Sequence, residues 1–151
     1  MDDLVQFLRD RYDEDEQAAR AVGYERIETG EYMWNSKYLL LQGGKGGESK
    51  ATAEFDGDLA DHIARHDPAR VLREVEAKRQ LLNDHPIERE TYPRPASGGK
   101  DVGGPHFPFG CATCHAEPDT GEVHGFGYCL TWKALALPYA DHPDYQDNWR
   151  P

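Results

Sequence analysis

"DLADHIARHDPARVLREVEAKRQLLND", residues 58–84, is the best-patterned stretch of the chain, and its reading decides the fold class. Leu59, Ala60 and Ile63 recur at helical spacing, and Asp67-Pro68 then resets the backbone. Proline disfavours helical geometry in the residue before it, whereas aspartate is a good N-cap and proline suits the first helical position. The pattern therefore predicts a short helix, a break at Asp67, and a long helix from Pro68. That helix carries Val71, Leu72, Val75, Leu82 and the stems of Lys78 and Arg79 on one side. Glu74 is spaced to pair with Lys78 at i,i+4, and Pro86 ends the helix directly after His85.

Working outward, residues 2–22 give another amphipathic helix through Leu4, Val5, Leu8, Tyr12, Ala19 and Val22, capped by Asp2 or Asp3 and followed by Gly23. "KYLLLQ" (37–42) and "ATAEF" (51–55) read as a β-hairpin joined by the loose "GGKGGESK". That glycine run lacks the Ser or Thr that a phosphate loop needs after Lys45, and no helix pattern starts behind it, so it is a connection. Residues 86–110 are rich in Pro and Gly and read as an irregular loop, and Leu130–Leu137 as a last short helix ended by Pro138. The tail carries Tyr139, Tyr145 and Trp149, which dock on the domain or serve a partner. The expectation is one α+β domain over residues 1–151: helix-rich, with a β-hairpin and a zinc-stapled loop at 106–130.

Composition narrows the function classes. The chain has 151 residues, 38% hydrophobic and 30% charged, which implies a small core under long polar loops. A net charge of -11 repels phosphates, and the densest basic stretch, Arg65 to Arg79, contains Asp67, Glu74 and Glu76. Direct nucleic-acid binding is therefore not expected. No apolar run reaches the ~18 residues of a membrane span. Met1-Asp2-Asp3 opens on acid rather than on a basic leader, so a cytoplasmic location is expected. In that compartment three cysteines point to metal or redox use rather than to a disulfide framework.

All three cysteines lie in "GCATCHAEPDTGEVHGFGYC", residues 110–129. Cys111 and Cys114, two residues apart, can place both sulfurs on one tetrahedral ion, and Cys129 returns a third thiolate. A closed structural zinc site then needs a fourth ligand. His85, at the end of the long helix, would tie the loop to the helices; His124 is the local alternative. His106 and His115 remain candidates, although His115 adjoins Cys114 and turns back onto the same ion with difficulty. "CATCH" also fits haem attachment, but that needs export and leaves Cys129 idle. A thioredoxin-like pair needs a βαβ pattern that is absent.

His62 and His66 stand four apart, as metalloprotease ligands do, but Ile63 occupies the position of the glutamate base. Capping and packing explain them better. Asp61, His62, His66 and Glu74 form the one plausible hydrolase constellation, and Asp141, His142 and Asp144 read as a polar turn in the tail. No catalytic residue and no organic cofactor site is assigned.

"DDLVQFLRDRYDEDEQAARA", "HIARHDPARVLREVEAKR" and "ALALPYADHPDYQDNW" occur in this order and together resemble a family of small uncharacterised actinobacterial and actinophage proteins. The resemblance implies no activity. It does imply a C-x-x-C pair with a further cysteine before the last helix, here Cys111, Cys114 and Cys129, and a histidine at the position of His85. The stretch Ala116 to Tyr128 is longer and richer in glycine than the resemblance leads one to expect. The resulting expectation is a nonenzymatic interaction or regulatory protein of phage descent, with structural zinc and another protein as partner. The alternatives are an acidic nucleic-acid-mimicking inhibitor of another protein, and a metal-dependent hydrolase using His62 and His66.

Overall fold

The computed structural model describes residues 3–34, 36–91 and 107–151. Helices and two small antiparallel sheets make an α+β chain. Its residues gather into two compact units, Arg11–Ala77 and Met1–Asp10 with Lys78–Pro151. The unit boundaries fall inside two long helices, α1 (Asp3–Ala21) and α3 (Pro68–Asp84).

In the unit Arg11–Ala77, a three-stranded sheet runs β1 (Arg26–Glu31), β2 (Ser36–Gln42) and β3 (Lys50–Asp56), in that spatial order. The expected hairpin is β2–β3, with a bulge between Tyr38 and Leu40. Strand β1 is an addition: "RIETGE" has one large apolar residue and carries almost no hydrophobic signal. The glycine run is a turn in which Gly43, Gly46 and Gly47 all adopt positive φ, a conformation glycine reaches without steric cost. Helix α2 (Gly57–Arg65) follows at once, its N-terminus capped by the Asp56 carboxylate, which accepts from the amides of Asp58 and Leu59.

In α2, Gly57 and Ala60 are buried, whereas Leu59, expected on the covered face, is exposed. The break at Asp67-Pro68 forms as expected, with the Asp67 carboxylate accepting from the Arg70 amide at 2.7 Å. Along α3, Val75 and Leu82 are buried, while Val71 and Leu72 are only half-buried. Glu74 pairs with Arg70, one turn before it, at 2.6 Å.

The unit Met1–Asp10 with Lys78–Pro151 is built on aromatic packing. Leu4, Phe7 and Leu8 of α1 are buried; Phe7 was not expected in the core, and Val22, expected there, is exposed beyond the end of α1. Phe7 meets Trp149 at 5.0 Å and Tyr145 at 6.1 Å, so the tail aromatics dock within this unit. Burial of side chains of this size contributes about 1.5–3 kcal/mol each. Lys78 reaches the Tyr139 hydroxyl at 3.4 Å with its charge over the ring.

The stretch 86–110 was expected to be irregular. Its two ends instead pair as β4 (Ile87–Arg89) and β5 (Phe109–Cys111), and residues 92–106 lie outside the described residues. Three residues per strand are too few for an alternation to register as a strand signal. The last helix, α4, spans Leu130–Ala136, with a 3₁₀ turn at Leu137–Tyr139. Among the described residues no helix is long and apolar enough to cross a membrane.

Candidate metal centre

The β4–β5 register carries the site. Ile87 stands opposite Cys111, so the start of the cysteine loop is fixed two residues beyond His85. The Ala112 amide extends the pairing by donating to the Pro86 carbonyl at 2.9 Å, and the Thr113 hydroxyl donates to the Asp84 carbonyl. These bonds hold the end of α3 against the turn that carries Cys114. The turn is closed by the His115 amide, which donates to the Cys111 carbonyl at 2.8 Å, while the Cys111 amide donates to His115 Nδ1 at 3.1 Å. Cys129 arrives immediately before α4. From that helix Trp132, itself buried, donates through Nε1 to the His85 carbonyl at 2.7 Å.

The glycines of the loop have steric work. A side chain at Gly110 would strike the His124 carbonyl, and one at Gly125 the Phe107 carbonyl. Both positions are close backbone crossings, held by the Phe107 amide on the Gly125 carbonyl and the Gly127 amide on the Phe109 carbonyl. The glycines at 110 and 125 are therefore what allow the loop to fold back on itself.

The result is a four-residue cluster. His85 Nδ1 lies 3.3 Å from Cys114 Sγ, 3.6 Å from Cys111 Sγ and 3.8 Å from Cys129 Sγ. One ligand atom from each of His85, Cys111, Cys114 and Cys129 lies within 4.8 Å of the others, close enough to hold one metal ion. An ideal tetrahedron with metal–sulfur and metal–nitrogen bonds of zinc length has N···S edges of about 3.6 Å. The three observed distances scatter around that edge. Among the described residues this is the only group of three or more His, Cys, Asp or Glu side chains arranged to hold an ion.

The electrostatics describe sulfurs crowded together. Burial pushes the Cys114 thiol up to about 12, and the adjacent Cys129 and Cys111 add to the rise. Cys114 is exposed as a residue, with its sulfur directed at His85 Nδ1. Cys111 is raised as well, first by burial, against the pull of the Cys114 and Thr113 amides directed at its sulfur. Thiols that resist ionising beside one another ionise readily when a cation sits between them.

The other candidates are placed elsewhere. His124 stacks on Phe126 at 5.3 Å and points Nε2 at Glu117, 3.6 Å away. His115 is used by the Cys111 amide, and burial, followed by the charge of His124, lowers its pKa. His106 lies outside the described residues. His62 and His66 do lie side by side, with ring centroids 4.8 Å apart, but both are exposed and neither belongs to a group of three ligands among the described residues. Asp61 is taken by Lys37 at 2.7 Å, a hydrogen bond that holds its carboxyl below the ordinary value. His142 pairs with the Asp144 amide in a turn of the tail. Trp132 and Thr113 were not singled out from sequence; helical spacing from Cys129 marks Trp132 as buried but gives no sign of its hydrogen-bond partner.

Fold and site together define an α+β protein with a His–Cys₃ cluster able to hold a metal ion. The chain belongs to the Family of unknown function (DUF6221), whose family model matches residues 1–151. Comparison with curated proteins and with solved structures finds no match.

Proposed function

We propose that this chain is a nonenzymatic interaction or regulatory protein of a bacterial cytoplasm, of phage or actinobacterial descent, in which His85, Cys111, Cys114 and Cys129 hold one structural zinc ion. The observation that carries the reading is the donor set. Three thiolates select zinc among the common divalent ions of a cell, and a fourth protein ligand leaves no coordination position for a reacting water. Catalytic zinc needs that open position. The ion joins the end of α3 to the loop through Cys111, Cys114 and Cys129, a region in which turns outnumber regular elements and few apolar side chains are available to fix it.

The two rival readings rank behind it. A nucleic-acid mimic needs carboxylates arrayed with one sign, whereas acids here are interleaved with bases: Arg11–Glu14, Arg20–Glu16, Arg26–Glu28, Lys37–Asp61 and Arg150–Asp147 are ion pairs. A hydrolase using His62 and His66 lacks a third ligand beside them among the described residues. The test is elemental analysis of untagged protein, expected to give about one zinc per chain, followed by limited proteolysis with and without a strong chelator. Chelation should open cleavage sites in residues 107–130 while most of the helical signal survives. Absence of zinc, or iron with a haem spectrum, overturns the reading.

A further inference from the structure

The turn between β1 and β2 presents an unusual surface. Tyr32 is 55% exposed, Met33 62% and Trp34 94%, three large apolar side chains in succession at a hairpin tip. Trp34 is also the only non-glycine residue at positive φ among the described residues, at 61°. Glycine or asparagine is the ordinary occupant of that conformation, and a bulky side chain there is a genuine outlier. The tip is held around it: the Tyr32 amide donates to the Ser36 carbonyl at 3.0 Å, and the Ser36 amide to the Met33 carbonyl. A strained backbone that keeps an indole in solvent gains nothing for the fold, and such residues gather at functional positions.

Beside the tip lies an open groove of about 350 Å³, lined by Tyr32, Tyr38, Ala51, Thr52 and Glu54. Tyr38 lies across Gly30, where the lack of a side chain lets its ring rest on β1. Glu54 faces Tyr38 across the β2–β3 register and makes no ion pair among the described residues. Two phenol rings and an uncompensated carboxylate form the recognition chemistry of a guanidinium, which stacks on an aromatic face and donates in parallel to a carboxylate. The chain's net charge of -11 draws a basic partner toward it.

We infer that the Tyr32–Trp34 tip and the adjoining Tyr32, Tyr38 and Glu54 groove form a docking surface for an arginine-bearing segment of a partner protein. The inference rests on the interaction-protein reading but uses none of the metal ligands, so the two fail separately. Trp34 covers the aliphatic part of the segment, and Glu54 receives the guanidinium between the two tyrosines.

The test is a titration of the full-length, zinc-loaded, ¹⁵N-labelled chain with tetra-arginine, tetra-lysine and tetra-glutamate peptides, followed by NMR. The three tryptophans give separate indole signals, and Trp34→Phe assigns that of Trp34. Tetra-arginine should shift the Trp34 indole and the Tyr32, Tyr38 and Thr52 amides saturably; tetra-lysine should bind several-fold more weakly and tetra-glutamate not at all. Glu54→Gln should weaken tetra-arginine at least fivefold, while Asp119→Asn, outside the groove, should not. Trp34→Gly should raise the melting temperature and abolish the response. Shifts scattered over the acidic surface, an unaffected Glu54→Gln variant, or a less stable Trp34→Gly variant overturn the inference. So does a Trp34 fluorescence blue shift on phosphatidylcholine–phosphatidylglycerol vesicles, which would assign the tip to a lipid surface. Untagged protein that purifies without zinc and still shows the Trp34 response would overturn the metal reading and leave this one standing.

Discussion

Replacing Trp132 with phenylalanine should weaken metal binding as well as the fold. The indole is buried, and its Nε1–H donates to the His85 carbonyl at 2.7 Å. Phenylalanine keeps an aromatic ring on the same face of α4 but leaves that carbonyl without its donor, a loss of about 1–3 kcal/mol for a buried group. The smaller ring also leaves space, adding a destabilisation of about 0.5–3 kcal/mol that does not depend on metal. The carbonyl belongs to a ligand residue, so part of the first cost must appear in metal affinity. Partners that orient a ligand are typically worth about 10- to 100-fold in affinity, or roughly 1.4–2.8 kcal/mol at 1.4 kcal/mol per decade. The assay is zinc competition against a chromophoric chelator, paired with thermal melts of the loaded and metal-free forms. Weaker binding by about that factor, with the larger melting shift in the loaded form, is the expected result. Unchanged zinc affinity, with equal melting losses in both forms, would show that Trp132 only packs and would refute the argument that it positions His85.

Other outcomes follow from the same geometry. Leu8, fully buried, should cost about 2–5 kcal/mol as Leu8→Ala in a denaturant titration, whereas exposed Leu59→Ala should stay within about 0.5 kcal/mol; reversed magnitudes would contradict the burial assignments. The Cys111 and Cys114 thiols are both raised in the metal-free fold, so both are protonated at neutral pH and must release protons to the ion. Apparent zinc affinity should therefore rise with pH, by about 100-fold per unit from these two groups, and a flat profile between pH 6.5 and 8 would sink that account. A screen for nuclease, phosphatase and peptidase turnover with added Mg²⁺, Mn²⁺ and Zn²⁺ should stay at background; activity lost in folded His62→Ala and His66→Ala variants would favour the hydrolase reading.

What could be read from sequence was local. The Asp67-Pro68 break and the helices flanking it rest on capping and i,i+3/i+4 spacing, and both formed where expected. The Cys111–Cys114 pair is likewise local. The identity of the fourth candidate ligand was not local, because His85 reaches sulfurs 26 to 44 residues away. Only the β4–β5 pairing decides between it and His124, and three-residue strands leave no period to detect. Strand β1 escaped for a related reason: Ile27 is its single large apolar residue. Leu59 and Val22 were misplaced because hydrophobicity marks a residue as able to be buried, while the neighbouring elements determine which side of a helix is covered.

Zinc K-edge X-ray absorption on the purified chain tests the central claim most directly. A single shell of three sulfurs at about 2.3 Å and one nitrogen at about 2.0–2.1 Å is the predicted result, with the nitrogen contribution lost in His85→Ala and retained in His124→Ala. A protein that carries no zinc, or whose nitrogen scatterer disappears with His124 instead, would contradict it.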